Sequence, residues 1–565
     1  MQMSGAEAVV TALIDEKIEC LFGYPGGAIM PTYDALYQHQ DRLNHVLVRH
    51  EQAAIHGAVG YARATRKVGV AIATSGPGAT NLITGITDAL IDSIPVVCIT
   101  GQVFSQLLGT DAFQEADIIG MTVTATKWNY QITDPNEIPF VFKKAFEIAQ
   151  SGRPGPVLID ITKDAQVGLM DYVKAEPSTK GKWLHKPMID MDQIHKASEI
   201  INAAKKPILI AGHGVMISKA QEALLALAEK SDIPVVSTLL GLSTFSTTHR
   251  LYKGMLGMHG NYAANVLCNE ADVVIAVGMR FDDRITGKLA CYLPYAKVIH
   301  IDIDYAEINK NVKADIGIHA DAKEALKVLI PYVKKTSHHD WHHAFDKAYQ
   351  KEFETVIKSE ISPTSGKLKM AEVIAKLSQK THGQAIIVTD VGQHQMIAAR
   401  YYQFEQTSNH ITSGGLGTMG FALPAAIGAK LGVGDKKQVI AIAGDGGFQM
   451  NIQELAVLKQ EGIALKIIIL NNSYLGMVRQ WQEMFFDKRY SFTSISSPDF
   501  VKVAEAYDIK AKRIEKREAL DQALTDLLES NTSYLLEIIV EQQENVFPMV
   551  PAGASISDTK LTMGG

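Results

Sequence analysis

The stretch from Val439 to Asn472 constrains the fold more than any other part of the chain. It reads Val439-Ile-Ala-Ile-Ala443, then Gly444-Asp445-Gly446-Gly447, a helix-like run, Ile467-Ile-Ile-Leu470 and Asn471-Asn472. Short apolar runs of this kind are strands buried on both faces, and two of them around a helix make a βαβ unit. The glycines stand where the first strand ends and a helix begins. There the backbone can come close to a phosphate, and a helix N-terminus favours its negative charge. Asp445 and Asn472 fall just past the ends of two strands, the edge at which parallel sheets bind ligands. Both offer hard oxygen ligands, suited to a magnesium ion that also takes oxygens from a diphosphate. Taken singly, Gly-Asp-Gly is a turn and Asn-Asn a loop; on consecutive strands they point to one cation site.

The rest of the chain repeats this alternation. Strands are expected at Leu21–Gly23, Val46–Arg49, Val68–Thr74, Pro95–Thr100 and Val157–Asp160, with Gly or Ser at their ends, as in Thr74-Ser-Gly-Pro-Gly-Ala-Thr-Asn81. Residues 172–190, with Lys174, Pro177, Lys180, Gly181, Lys182, Lys186 and Pro187, read as a polar linker. A second block has strands at Pro207–Ala211, Pro234–Ser237, Val273–Val277 and Lys297–Ile303. A third has them at Ala385–Asp390, Val439–Ala443, Lys466–Leu470 and Tyr534–Ile539. The expected fold is therefore α/β: three doubly wound parallel-sheet domains at 1–172, 190–335 and 366–545, then a Pro/Gly tail at 546–565. Val70–Asn81 and Val439–Asn451 each run strand, Gly-x-Gly turn, Asn and helix, which hints at a duplication.

Two decoys are set aside. Gly415-Leu-Gly-Thr-Met-Gly420 spells a dinucleotide fingerprint, but Asn409-His-Ile-Thr-Ser-Gly before it is a poor strand. The knot His338-His-Asp-Trp-His-His343, inside a polar helical stretch at 334–365, matches no standard metal spacing and reads as a solvated helix face. No Walker A sequence occurs.

Composition fits this plan. The chain has 565 residues, 47% hydrophobic and 21% charged, enough for several large cores. A net charge of −6 without a basic block gives no reason to expect nucleic acid, and no run of 18 apolar residues predicts a membrane span. Met1–Val10 reads as an amphipathic helix rather than a signal or transit peptide. Cys20, Cys98, Cys268 and Cys291 lie apart in apolar surroundings, as expected of buried, reduced thiols in a cytoplasmic protein.

The Gly-Asp-Gly and Asn-Asn pair resembles the motif of thiamine diphosphate enzymes. The resemblance extends over nearly the whole chain to acetohydroxyacid synthases, through Phe22-Gly-Tyr-Pro-Gly-Gly27, Arg49-His-Glu-Gln52, Thr74–Asn81, Gly109–Glu115, Gly152–Pro156, Gly257-Met-His-Gly260, Arg280-Phe-Asp-Asp-Arg284, Val391-Gly-Gln-His-Gln395 and Met477-Val-Arg-Gln-Trp481. It implies domains of the thiamine diphosphate-enzyme type, with pyrimidine-binding, FAD-binding and diphosphate-binding roles in chain order. It implies decarboxylation of pyruvate on thiamine diphosphate and transfer of the hydroxyethyl carbanion to pyruvate or 2-ketobutyrate. The products, 2-acetolactate or 2-aceto-2-hydroxybutyrate, feed branched-chain amino-acid biosynthesis.

Carried over residue by residue, Asp445, Asn472 and the carbonyl of Tyr474 hold Mg2+. Glu51 hydrogen-bonds N1′ of the aminopyrimidine, a role that needs a proton on the carboxyl, which an apolar site favours. Met477 lies beneath the bent cofactor. Carbonyls near Met419 meet the pyrimidine, Gly415 falls at a cofactor-binding position, and Gln393, His394, Gly444, Gly446 and Gly447 meet the diphosphate. Gly27, Phe113, Gln114, Lys163, Met258, Arg284 and Trp481 line the substrate pocket, with Arg284 set for the second carboxylate, unless it only pairs with Asp282 or Asp283. Arg153, His259, Arg280, Asp302 and Asp321 fall at FAD positions, where the flavin does no net redox chemistry. The resemblance also implies a homodimer or homotetramer and a small regulatory subunit. Phe104, the loop Gly241-Leu-Ser-Thr-Phe-Ser246 and Tyr474 depart from the family pattern. The competing readings are a thiamine-dependent pyruvate oxidase, a simple 2-keto acid decarboxylase, and a non-catalytic cofactor-binding protein.

Overall fold

The computed structural model describes residues 2–564 except 179, 180, 182, 184 and 185. Lys180 and Lys182 of the expected linker therefore lie outside the described residues, as does Met1 of the expected first helix. Three six-stranded sheets, each wholly parallel, follow one another along the chain. The first has the spatial order Asn44–Leu47, Cys20–Gly23, Gly69–Ala73, Val96–Gln102, Val157–Thr162, Trp128–Ile132. The third has the order His410–Thr412, Ile386–Thr389, Val439–Gly444, Lys466–Asn471, Tyr534–Ile539, Lys510–Ile514. Numbered within their own sheets, both read 2-1-3-4-6-5. The shared order strengthens the duplication hinted at by Val70–Asn81 and Val439–Asn451.

The middle sheet differs. Its order is Tyr252–Met255, Val235–Ser237, Pro207–Ala211, Val273–Val277, Lys297–Asp302, Ile316–His319, or 3-2-1-4-5-6. That is the order of dinucleotide-binding folds, whose ligand crevice opens where the order reverses, between the first and fourth strands. Here the reversal lies between Pro207–Ala211 and Val273–Val277. The turns after these strands touch: the Gly214 N–H donates to the Gly278 carbonyl at 2.8 Å, and a Cβ on Gly212 would lie 2.2 Å from that oxygen.

Several expectations need correction. The chain opens with a short strand, Gln2–Ser4, antiparallel to Leu169–Asp171, and the helix starts only at Gly5. Ser4 and Glu7 form a reciprocal capping box there, which fixes the start. The residues before Gly415 include a strand after all, His410–Thr412, at the sheet edge. The tail at 546–565 packs against the middle domain. Met549 pairs with Lys560, the Val550 N–H donates to the Met258 carbonyl at 2.8 Å, and Lys288 donates to the Ala554 carbonyl at 2.9 Å. Cys291 is only half-buried, whereas Cys20, Cys98 and Cys268 are buried.

The first and third domains join through the helices Glu51–Thr65 and Ala422–Val433, each following the second strand of its own sheet. These helices meet backbone to backbone. A Cβ on Gly60 would lie 1.9 Å from the Ala425 carbonyl oxygen, and one on Gly428 would lie 1.8 Å from that of Gly57. No rotamer relieves such a clash. Gly60→Ala is therefore expected to destabilise the folded chain by about 3 kcal/mol, the upper end of overpacking penalties. A denaturation midpoint equal to that of the unmodified chain would contradict this packing.

Candidate active site

An 810 Å³ cavity opens where the three domains meet. The third sheet contributes the ends of its first, third and fourth strands, with Val391–Met396, Gly444, Gly446, Gly447, Asn472 and Leu475–Val478 on the wall. Its order reverses between the first and third strands, so the Gly-Asp-Gly turn sits at the switch point. The glycines are needed for space. A Cβ on Gly447 would meet Asp390 Oδ1 at 2.3 Å, and one on Gly476 would meet Gln393 Oε1 at 2.1 Å.

Asp445 is 1% exposed. Its Oδ2 accepts from the Ser497 hydroxyl at 3.0 Å, while its Oδ1 is buried with no hydrogen-bond partner. Burial pushes this carboxyl up to about 6. An orphaned anionic oxygen is costly unless a cation completes it. Asn472 lies beside it; its Oδ1 accepts from the Tyr474 N–H at 3.1 Å, and its Nδ2 donates to Gln393 at 3.3 Å. Asp, Asn and a nearby carbonyl are a hard-oxygen set that fits Mg2+. Among the described residues no group of three or more His, Cys, Asp or Glu is placed to hold a metal. In the histidine knot His339 and His343 are exposed, as a solvated helix face requires, while His342 Nε2 lies 2.9 Å from the Asp232 carbonyl oxygen and Trp341 is buried.

Other cavity groups wait for polar partners. His394 Nε2 and His259 Nδ1 are buried and unpaired on the wall, as is Thr418 Oγ1 behind it, between the wall residues Gly417 and Met419. Burial lowers His394 to about 4 and His259 to about 3, so both imidazoles are neutral. Met477 and Trp481 share one face of the helix Gly476–Phe485, and both line the cavity. Met258 and Arg284 stand together on the wall, with the Met258 N–H donating to the Arg284 carbonyl at 2.7 Å. Arg284 also lies 3.6 Å from Asp283, a loose, solvent-exposed pair of little energy. The tail residues Phe547, Met549 and Leu561 form a small core against Met258 and Trp481, so the tail backs this wall.

Toward the middle domain the cavity is lined by Arg153, Arg280, Asp302 and Asp321. Burial raises Asp302 to about 7. Arg153 bridges domains, donating to Ser93 and pairing with Asp304 at 3.2 Å and Glu307 at 3.1 Å. Asp321 caps the helix Ala322–Leu329 by accepting from Lys323 and Glu324.

Gly27, Glu51, Phe113, Gln114 and Lys163 do not line this cavity. They gather on the first domain. Glu51 is the first residue of its helix and accepts from Asn81 Nδ2 at 2.9 Å. Phe113 is 87% exposed, Gln114 abuts Gly76, and the Lys163 amine lies 5.8 Å from the Phe104 ring centre. The sequence reading also passed over Asp390. Its carboxylate, 1% exposed, accepts from the Gly420, Ala422 and Val391 amides and so shapes the loop that carries Met419. The only trace of it is an acid directly after an apolar strand.

Three family models match in chain order: the N-terminal thiamine pyrophosphate-binding domain over residues 3–121, the central domain over 194–329 and the C-terminal thiamine pyrophosphate-binding domain over 390–538. Acetolactate synthase isozyme 2 large subunit of Escherichia coli is 45% identical over 98% of this chain and 99% of its own length. The chain belongs to the acetolactate synthase large-subunit family of thiamine pyrophosphate enzymes. A probable acetolactate synthase large subunit of Methanocaldococcus jannaschii is 46% identical over 98% of this chain and 95% of its own. That of Lactococcus lactis is 45% identical over 97% and 95%. Among the described residues no helix is long and apolar enough to cross a membrane.

Proposed function

We propose that this chain is the catalytic subunit of an acetolactate synthase. It decarboxylates pyruvate and joins the two-carbon fragment to pyruvate or 2-ketobutyrate, in branched-chain amino-acid biosynthesis in the cytoplasm. The observation that carries the reading is one cavity whose wall runs from Gly444, Gly446, Asn472 and Tyr474, which flank the unpaired Asp445 oxygen, to the apolar Met477, Met258 and Trp481 beside the Arg284 guanidinium. Asp445, Asn472 and the Tyr474 carbonyl would hold Mg2+. His394, Gln393 and the glycine turn would hold the diphosphate of thiamine diphosphate. When bound, its thiazolium supplies the electron sink for decarboxylation. Glu51 would hold a proton for N1′ of the aminopyrimidine, Met477 would give the ring an apolar support, and Arg284 would bind the acceptor's carboxylate. The middle crevice, in the 3-2-1-4-5-6 order, suits FAD, held by Arg153, His259, Arg280, Asp302 and Asp321.

Gly27, Glu51, Phe113, Gln114 and Lys163 complete the site of a second copy of the chain, which explains why they stand apart from the chain's own cavity. The functional unit is then a homodimer, or a homotetramer built from it. The large-subunit names of the relatives support a small regulatory partner. Product analysis after adding pyruvate, thiamine diphosphate and Mg2+ tests the activity. Acetolactate is expected; acetaldehyde alone, or a flavin that bleaches stoichiometrically with pyruvate, would overturn the reading in favour of a decarboxylase or an oxidase.

Shared sites predict complementation. Glu51→Gln and Asp445→Ala chains, each inactive alone, should recover about one quarter of the sites after random exchange within dimers. Demonstrated exchange without recovered activity would exclude sharing. Trp481 sets acceptor choice. 2-Ketobutyrate differs from pyruvate by one methylene, worth about 1–3 kcal/mol against an apolar wall. Trp481→Leu is expected to lower the 2-ketobutyrate to pyruvate product ratio at least about fivefold, leaving pyruvate decarboxylation largely intact. An unchanged ratio in a competition assay with the folded variant would rule out this role.

A further inference from the structure

The turn that presents Glu51 is held from another domain. Arg49 and His50 link the strand Asn44–Leu47 to the helix that begins at Glu51. The Arg49 N–H points at both oxygens of Glu454, at 3.0 and 3.2 Å. The His50 amide also stabilises that carboxylate. Glu454 is 0% exposed and closes the short helix Ile452–Glu454, which follows the Asp445–Met450 helix of the cation site. A carboxylate in this place is costly, since burial raises it to about 7. Its charge faces the N-terminus of the helix Glu51–Thr65, where a negative group is favoured.

The opposite domain makes the matching contact. Asp92, at the end of the helix Ile83–Asp92 and 3% exposed, accepts the Gly414 N–H at 2.9 Å and the Gly415 N–H at 2.8 Å. Those glycines lie in the turn between the second strand of the third sheet and the helix Ala422–Val433. The Ser413 hydroxyl donates to Asp88, one turn before Asp92. Each domain thus sends a buried carboxylate to the second strand-to-helix turn of the other, around the backbone contact of the two helices that follow. A contact repeated in both halves of a duplicated pair answers a demand on the turns themselves, beyond local packing.

We propose that Glu454 is a positioning residue for Glu51: it ties the turn presenting Glu51 to the cation-site motif of the same chain, as Asp92 ties the loop Gly414–Met419 to the first domain. This rests on the reading of Glu51 as the group that works at the aminopyrimidine N1′. In a dimer with shared sites, Glu454 joins the cation motif serving one cavity to the acid serving the other.

The test measures two quantities on each holoenzyme: the rate of hydrogen–deuterium exchange at C2 of the thiazolium, and the affinity for thiamine diphosphate with Mg2+ by calorimetry. Glu454→Ala should slow exchange at least about tenfold, as displacement of a catalytic group does, with affinity changed less than about threefold. Glu454→Gln keeps one carbonyl acceptor and should fall between, about threefold slow; it decides the matter if the alanine variant does not fold. Asp92→Asn should show the reverse, weaker cofactor affinity with normal exchange in the bound fraction. Equal losses of exchange and affinity in the Glu454 variants would mean a structural role only and overturn the proposal. So would normal exchange in them while Glu51→Gln is slow. Normal exchange in Glu51→Gln itself would remove the underlying reading instead.

Discussion

Glu51→Gln is expected to slow C2 proton exchange of the bound cofactor at least about tenfold, the low end of general acid–base contributions, and likewise to depress turnover. The amide keeps size and hydrogen-bonding reach but has no acidic proton to share with N1′. Cofactor affinity should survive, because Glu51 stands in the first domain, away from the cation site, where it accepts from Asn81 at 2.9 Å. Gly78 leaves it room: a Cβ there would lie 3.2 Å from Glu51 Oε1. The half-buried side chain therefore sits against the Thr74–Asn81 turn. Exchange at the unmodified rate, in a variant that binds the cofactor normally, would remove Glu51 from the mechanism.

What the sequence conveyed divides along burial. Strands such as Val273–Val277 and Tyr534–Ile539 stand out because helices cover both faces, which leaves unbroken apolar runs. The strands Trp128–Ile132, Tyr252–Met255, Ile316–His319, His410–Thr412 and Lys510–Ile514 went unread, and each lies at the edge of its sheet. An edge strand has one neighbour and partial cover, so Lys510-Ala-Lys-Arg-Ile514 alternates like a surface segment. Without those edges the 3-2-1-4-5-6 order of the middle sheet stayed hidden, since order belongs to pairing across the chain.

The candidate site shows the same division. Asp445 and Asn472 stood out because short local spacing ties each to the end of one strand, whereas Met477 and Trp481 entered through the family resemblance. Asp92 and Glu454 did not stand out, because their partners, Gly414 and Arg49, are hundreds of residues away. No local pattern distinguishes a helix glutamate in solvent from one buried against another domain. The packing of the tail was hidden for the same reason: its Pro and Gly content is local, and its contacts with Met258 and Lys288 are not.

Asp445 carries the largest expected effect, and it has two signs. In the proposed site, Asp445→Ala removes the one anionic ligand of the cation. Mg2+-dependent affinity for thiamine diphosphate should fall about 100-fold or more, the loss of about 3 kcal/mol that follows when one partner of a buried charge pair is removed. Without cation the same carboxylate harms the fold. Burial raises it from an ordinary 3.8 to about 6, so the folded chain holds its proton more tightly than the unfolded chain. Stability then falls as pH rises from about 4 to about 6, and the deficit is complete above that. Asp445→Asn has no charge to bury. With a chelator present it should be more stable than the unmodified chain at pH 7.5 by about 1–2 kcal/mol, a discounted share of the shift, and no more stable at pH 4. Adding Mg2+ with thiamine diphosphate should raise the denaturation midpoint of the unmodified chain and leave the variants where they were. Unmodified cofactor affinity in Asp445→Ala would mean that another group holds the cation. A stability difference in Asp445→Asn that ignores pH would mean that the buried charge is not its source.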